Sequence, residues 1–248
     1  MMIARFALPL ALLFAHPATA LELDNLTAQE RVQFRAEVRA YLLDNPEVLQ
    51  EAIAILQQRE QNAQLTADLE LARANADALQ NDGYSFVDGN PEGDITVVEF
   101  MDYRCGYCKR AFPEVAQLLA DDPNIRFVVK ELPILGEQSV LASRFAIATQ
   151  IVGGDDAYKA VHDTLMEFRG DISEQSLTRL GSTLGIDTDA VLAQMDSPVV
   201  SEIIAANSVL AQQLNISGTP TFVFEDQIVR GYLQLAQMEQ LVEELRAQ

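Results

Sequence analysis

The rhythm of apolar and polar positions is helical from residue 27 to residue 80 and then changes character. Thr27, with Glu30 three residues later, has the form of a capping box and opens a helix to about Leu43. Asn45-Pro46-Glu47 restarts it: asparagine suits the N-cap, proline the first helical position, and glutamate the positive end of the helix dipole. From Pro46 to about Gln80 no glycine or further proline interrupts a run rich in Ala, Gln, Glu and Leu, which as one helix would be about 50 Å long. Its apolar residues make two heptad seams, Leu49, Ile53 and Leu56, then Leu65, Leu69, Ala72, Ala76 and Leu79, each spaced alternately by four and three. The seams are out of phase, so a discontinuity is expected near residues 57 to 63. A single domain core is too small to cover such a helix, which predicts a homo-oligomer formed through residues 46 to 80.

Asn81-Asp82-Gly83 breaks the helix, and strands begin: Tyr84 to Val87, then the mostly apolar run Ile95 to Tyr103. A helix over Phe112 to Ala120 and a buried strand over Ile125 to Lys130 complete a strand, helix, strand unit with a parallel crossover. Residues 136 to 214 read as almost wholly helical, with stops at Gly153-Gly154 and Gly170 and fresh starts at Ser173, Asp187 and Ser197-Pro198. Strands return at Thr221 to Glu225 and Ile228 to Gly231, followed by a terminal helix to about Arg246. The pattern is that of an α/β domain with a helical insertion at about 136–214.

Composition narrows the function. The chain has 248 residues, 49% of them hydrophobic, and a formal net charge of -20. That is enough apolar material for a full core, and it excludes disordered and disulfide-framework classes. With no basic cluster visible along the sequence, so negative a field repels polyanions, and no nucleic-acid partner is expected. Arg5, the apolar run Phe6 to Phe14 and the small residues Ala18-Thr19-Ala20 form a secretory leader, cleaved after Ala20. Export to the periplasm follows, with an N-terminal helical module over 21–81 and the α/β domain over 82–248. Loss of the leader removes His16 and leaves His162 as the one histidine.

The only cysteines, Cys105 and Cys108, form one Cys-x-x-Cys. A bridge over two residues constrains little of the unfolded chain, so chemistry rather than stapling is its use. Cys105 falls where a strand ends and a helix starts, and unpaired N–H groups there favour its thiolate. Cys108, one turn on, is placed to resolve a mixed disulfide. A structural zinc site needs four ligands, and only His162 is left to add a third. Two thiolates alone are able to hold Cu(I), so copper handling stands as the alternative, although Met101, Met166, Met195 and Met238 are scattered. His162 reads as a packing or surface residue. Glu99 sits six residues before Cys105 in an apolar strand, where an ionised carboxylate is costly; Lys130 on the next strand is its expected partner.

Val97 to Lys109, with Cys105-Gly106-Tyr107-Cys108 at its end, Pro113 in the following helix and Gly218-Thr219-Pro220-Thr221-Phe222 far downstream, resembles the DsbA-like branch of the thioredoxin superfamily. The resemblance covers about residues 82 to 248. It implies a thioredoxin fold with a helical insertion, a cis bond before Pro220, and a Thr219-Pro220 loop that lies against the cysteines, receives an extended substrate and keeps metals from the thiols. It gives Gly106 and Tyr107 a part in tuning the redox potential, and gives a buried acid, here Glu99, a part in moving protons. Gly106-Tyr107 with Thr219 is similar to the bacterial disulfide isomerase DsbC. Tyr41 to Leu49 is similar to the N-terminal region of DsbA-like proteins related to suppressor of copper sensitivity protein C, some of which oligomerise there. The expected function is therefore a thiol-disulfide oxidoreductase, isomerase or reductase in kind, with a monomeric DsbA-like disulfide oxidase as the alternative beside copper handling. Its catalytic residues are Cys105, Cys108, Pro220 and Glu99, and Thr219, Gly106 and Tyr107 meet substrate. Its partners are cysteine-containing exported proteins and a membrane redox partner, and it needs no cofactor or metal beyond its own disulfide.

Overall fold

The structure is a computed structural model that describes residues 26–247; the expected leader lies outside them. The chain divides into two compact units between Arg59 and Glu60. The first holds helix α1 (Ala28–Asp44) and the start of α2 (Glu47–Ala74). Thr27 caps α1 through the expected box: its hydroxyl accepts from the Glu30 N–H at 3.3 Å, and its own N–H donates to the Glu30 carboxylate at 2.9 Å. Asn45 departs from expectation. Its side-chain amide donates to the Tyr41 carbonyl at 2.9 Å, closing α1 rather than opening α2. No residue of α1 is buried, and Val32, Phe34, Val38 and Tyr41 are exposed, as are Leu49, Ile53 and Leu56 of the first seam.

Two expectations about the long helix are corrected. First, α2 runs unbroken through residues 57–63; the break comes at Asn75, before the short α3 (Ala76–Gln80). Second, the later seam is not free. Ala72 and Leu79 are fully buried in the core of the second unit, against Val98, Phe100, Val128 and Leu210, while Leu65 and Ala76 stay exposed. The buried Asp68 carboxylate also takes two hydrogen bonds from the Arg230 guanidinium, at 2.6 and 2.9 Å. Residues 60–81 therefore pack with the α/β domain, and the module expected over 21–81 ends near Arg59.

The second unit is built on a five-stranded sheet. Its strands are β1 (Phe86–Gly89), β2 (Ile95–Met101), β3 (Ile125–Glu131), β4 (Thr221–Phe224) and β5 (Gln227–Arg230), in the order β1-β3-β2-β4-β5. The β2–β3 pair is parallel across α4 (Gly106–Asp121), and the other pairs are antiparallel. Helices cover both faces, which is why β2 reads as a continuous apolar run and all seven of its residues are buried. Ile95, Val97 and Met101 face α4, α5 (Glu137–Glu167) and α9 (Leu235–Arg246). Val98 and Phe100 face the end of α2, α3 and α8 (Pro198–Gln213). The insertion is α5, α6 (Glu174–Thr183), α7 (Thr188–Met195) and α8. The stop expected at Gly153-Gly154 appears as a kink inside α5, at Gly154 with φ of 79°, a conformation glycine adopts without steric cost. None of the described helices is long and apolar enough to cross a membrane.

Candidate active site

Cys105 is the N-cap of α4, with φ of -72° and ψ of 117°. Its Sγ accepts the Cys108 N–H at 3.4 Å and lies 3.1 Å from the Thr219 carbonyl oxygen, to which it donates when protonated. Both cysteines are free thiols. A hydrogen bond from the Cys108 thiol, with others from the Thr219 side chain and from the backbone N–H groups of Cys108 and Tyr107, draws the Cys105 pKa down to about 5 against the opposing effect of burial. Cys108 is fully buried, and its thiol is pushed far up by the same hydrogen bond, by desolvation and, once Glu99 is ionised, by the Glu99 charge. The two sulfurs are thus unlike: one is a thiolate at neutral pH and the other a held proton. Titration of the reduced protein by thiolate ultraviolet absorbance is expected to show one midpoint near 5. A first midpoint near the ordinary thiol value of about 8.5 would contradict this geometry.

The Thr219-Pro220 bond is cis, Pro220 is buried, and Thr219 is half-buried beside Cys105. The loop is held by the Thr221 hydroxyl on the Gly218 carbonyl at 2.8 Å and by the Gly231 N–H on the Pro220 carbonyl at 2.9 Å. Gly106 is the first residue of α4, and a Cβ there would meet no atom within 4 Å, so no backbone demand explains the glycine. Tyr107 is 61% exposed, its ring 6.4 Å from that of Tyr232. Gly106 and Tyr107 follow Cys105 at the start of α4, and the Thr219-Pro220 loop reaches it through Thr219.

Glu99 lies behind the cysteines, fully buried, with Oε1 lacking any hydrogen-bond partner. Burial, and secondarily the charge of Cys105, raise its pKa to about 8. It borders a cavity of about 270 Å³ whose lining runs past Phe112 and His162 to Asp88 and Lys159. The expected pairing with Lys130 does not form. In the parallel register Lys130 stands beside Phe100, so its side chain leaves the opposite face of the sheet from Glu99. There its ammonium binds the Asp82 carboxylate and the Ala78 carbonyl.

Two buried acids were not found from the sequence. The Asp102 carboxylate accepts the N–H groups of Arg104 at 2.7 Å, Ile134 at 2.8 Å and Leu135 at 3.1 Å, tying the turn before Cys105 to the loop after β3. Glu131 accepts from Tyr103 and Tyr158, each at 2.8 Å, and from Ser143 at 2.6 Å. Burial lifts its pKa to about 7. Tyr103 also lies 3.0 Å from Nδ1 of His162, which is buried, with its pKa brought down to about 3 by desolvation. Acids ending apolar strands were the available signal. Lys109, beside the motif, turns to the Leu165 and Phe168 carbonyls at the end of α5, and Arg110 lies 4.6 Å over the Tyr232 ring. Among the described residues no three or more His, Cys, Asp or Glu are grouped to hold a metal.

Comparison with known proteins places this geometry. Residues 96–243, more than half the chain, match the DSBA-like thioredoxin domain, and residues 30–63 match the copper resistance protein ScsC N-terminal domain. A thioredoxin-like oxidoreductase from Silicibacter pomeroyi is 43% identical with a TM-score of 0.66, over 69% of this chain and 98% of that one. ScsC from Proteus mirabilis in a transitional conformation is 30% identical with a TM-score of 0.65, over 88% of this chain and 98% of that one. A Na(+)/H(+) antiporter, NhaA 1 from Salinispora arenicola, is 34% identical over 136 residues, 55% of this chain. The chain spans only 21% of that antiporter's length.

Proposed function

Because the chain belongs to the DsbA-like thioredoxin family, we propose that it is an exported thiol-disulfide oxidoreductase acting on periplasmic proteins, chiefly as a disulfide isomerase or reductase. The observation that carries this reading is the unequal pair of thiols at the start of α4. The Cys105 thiolate attacks one sulfur of a substrate disulfide. A Cys105–substrate disulfide forms, the substrate S–S bond breaks, and its other sulfur leaves as thiolate and takes a proton from water. In isomerisation a second substrate thiolate then attacks the mixed disulfide, and Cys105 returns as thiolate with no net electron transfer. In reduction Cys108 passes its proton to the ionised fraction of Glu99, which a pKa near 8 makes the minor form at neutral pH, and attacks Cys105, releasing reduced substrate and leaving Cys105–Cys108 oxidised. A membrane redox partner would then return the pair to the dithiol. Stabilising the Cys105 thiolate favours that dithiol form, which an isomerase needs. Thr219 and Pro220 shape the groove, with Gly106 and Tyr107 at its rim, and no cofactor is required beyond the disulfide itself.

The exposed apolar residues of α1 and early α2 support a homo-oligomer, in which several active sites on one assembly raise the local concentration of thiolate around a wrongly paired substrate. Deleting residues 21–59 tests this. The remaining chain keeps Ala72 and Leu79 in its core and is expected to be monomeric by light scattering, to retain exchange with small disulfides, and to lose most isomerase activity on a scrambled multi-disulfide protein. A full-length chain already monomeric at micromolar concentration would overturn the oligomer. The match of residues 30–63 to a copper-resistance protein's domain favours a second reading, Cu(I) carriage between Cys105 and Cys108. It requires tight Cu(I) binding under anaerobic chelator competition, abolished by Cys105→Ser, in a protein with no disulfide reductase activity.

A further inference from the structure

Against a net charge of -20, the surface beside Cys105 has the opposite sign. Arg104, Lys109 and Arg169 line one cavity of about 220 Å³ together with Phe168, Gly170 and Ile172. The three cations come from separate places in the sequence: Arg104 from the turn into the active site, Lys109 from the first turn of α4, and Arg169 from just beyond the end of α5. The Lys109 ammonium is fixed at this place by the Leu165 and Phe168 carbonyls. Arg104 and Arg169 are exposed, and among the described residues neither forms an ion pair. Asp171, exposed between Gly170 and Ile172, does not itself line the cavity, and other acids near it are engaged or line a different one. Asp102 is consumed by backbone N–H groups, and Glu114 accepts from Tyr232 and from the Leu235 N–H. Glu167 lines the neighbouring cavity rather than this one. Crowding like charges costs free energy, and the proximity of Arg169 and Arg104, after desolvation, lowers the proton affinity of Lys109.

We propose that this cavity is a carboxylate subsite, which selects disulfide substrates carrying an acidic residue next to the reacting cysteine. Arg104 adjoins Cys105 in the chain, so a carboxylate held there belongs to a residue within a position or two of the sulfur under attack. Phe168 and Ile172 supply apolar lining for the aliphatic part of an aspartate or glutamate side chain. The chain's overall negative field does not defeat this contact. At physiological ionic strength charges are screened beyond about 8 Å, so the cations at the site act on a docked carboxylate more strongly than distant acids do.

The inference rests on the exchange chemistry proposed above, and its test separates the two. Two synthetic disulfide peptides, alike except for glutamate or glutamine beside the cysteine, react with the reduced full-length protein. The glutamate peptide is expected to react about tenfold faster at roughly 0.1 M salt, and the ratio to fall to about twofold or less at roughly 0.5 M salt. Arg104→Gln/Arg169→Gln is expected to bring the ratio near one, and Arg169→Glu to invert it. A change in thiol reactivity alone would slow both peptides together and leave their ratio intact. Glutathione disulfide, compared with uncharged 2-hydroxyethyl disulfide, tests whether a small thiol's carboxylates use the same subsite; a preference that disappears in the double variant supports carboxylate recognition. Equal rates for the two peptides with the unaltered protein, or a ratio that survives both variants, would overturn the subsite while leaving the exchange reading standing. Failure of both peptides to exchange would overturn both.

Discussion

Replacing Cys105 by serine is expected to abolish disulfide exchange, a loss of about four orders of magnitude or more, the scale on which removing a nucleophile acts. Replacing Cys108 by alanine should have a different effect. The first attack needs only the Cys105 thiolate, still held by the N–H groups of residues 107 and 108 at the start of α4. The step that clears it in the reduction pathway is gone, so mixed disulfides with substrate proteins should accumulate and turnover as a reductase should stop. The alanine also removes the Cys108 thiol, whose hydrogen bond does most to lower the Cys105 pKa, so the Cys105 midpoint should rise above 5 in this variant. Non-reducing gels and stopped-flow rates with a protein disulfide read both effects. Accumulation in Cys105→Ser and none in Cys108→Ala would reverse the roles.

The second large effect concerns Glu99. Its pKa near 8 places the carboxyl close to the working pH, where a general acid-base group is most effective. Glu99, whose Oε1 is unpartnered, lines a cavity of about 270 Å³ shared with Lys159 and Asp88, a space large enough to hold water. Glu99→Gln is expected to slow the Cys108-dependent step about a hundredfold near pH 7, while the Cys105 titration keeps its midpoint. Stability should move the other way. A carboxyl whose pKa is raised by folding contributes stability below its unfolded value of about 4.5, and that contribution is lost as pH rises through about 8. Glutamine stays neutral, so the variant should gain on the unaltered protein by on the order of 3 kcal/mol between pH 5 and pH 8. Glu131 shifts in the same direction in both proteins and cancels from the difference. Denaturant unfolding at the two pH values decides it: a variant that loses ground toward pH 8 would show that Glu99 is not held neutral.

Much of this architecture was legible in the residues because local and long-range signals agreed. Strands covered on both faces wrote themselves as apolar runs, and a Cys-x-x-Cys at a strand-to-helix junction fixed the site before any contact was known. The misreadings share one cause, that a linear pattern does not say what lies against it. A four-three spacing serves a coiled-coil seam and a helix docked on its own sheet equally well, and Ala72 and Leu79 do the second. Asn45 is a good cap for either helix end that it touches. Lys130 and Glu99 stand on adjacent strands, but only the register reveals that their side chains leave opposite faces. The cationic cavity could not be foreseen for a similar reason: Arg169 meets Arg104 and Lys109 only because α5 ends over the start of α4.

The most direct test of the account is to trap Cys108→Ala with a disulfide-bonded protein substrate and map the cross-link by mass spectrometry. A single disulfide joining the substrate to Cys105, formed at a rate that follows the Cys105 thiolate fraction as pH is varied, is the predicted result. A protein that forms no mixed disulfide although its Cys105 is free and reactive toward a small alkylating reagent would contradict it.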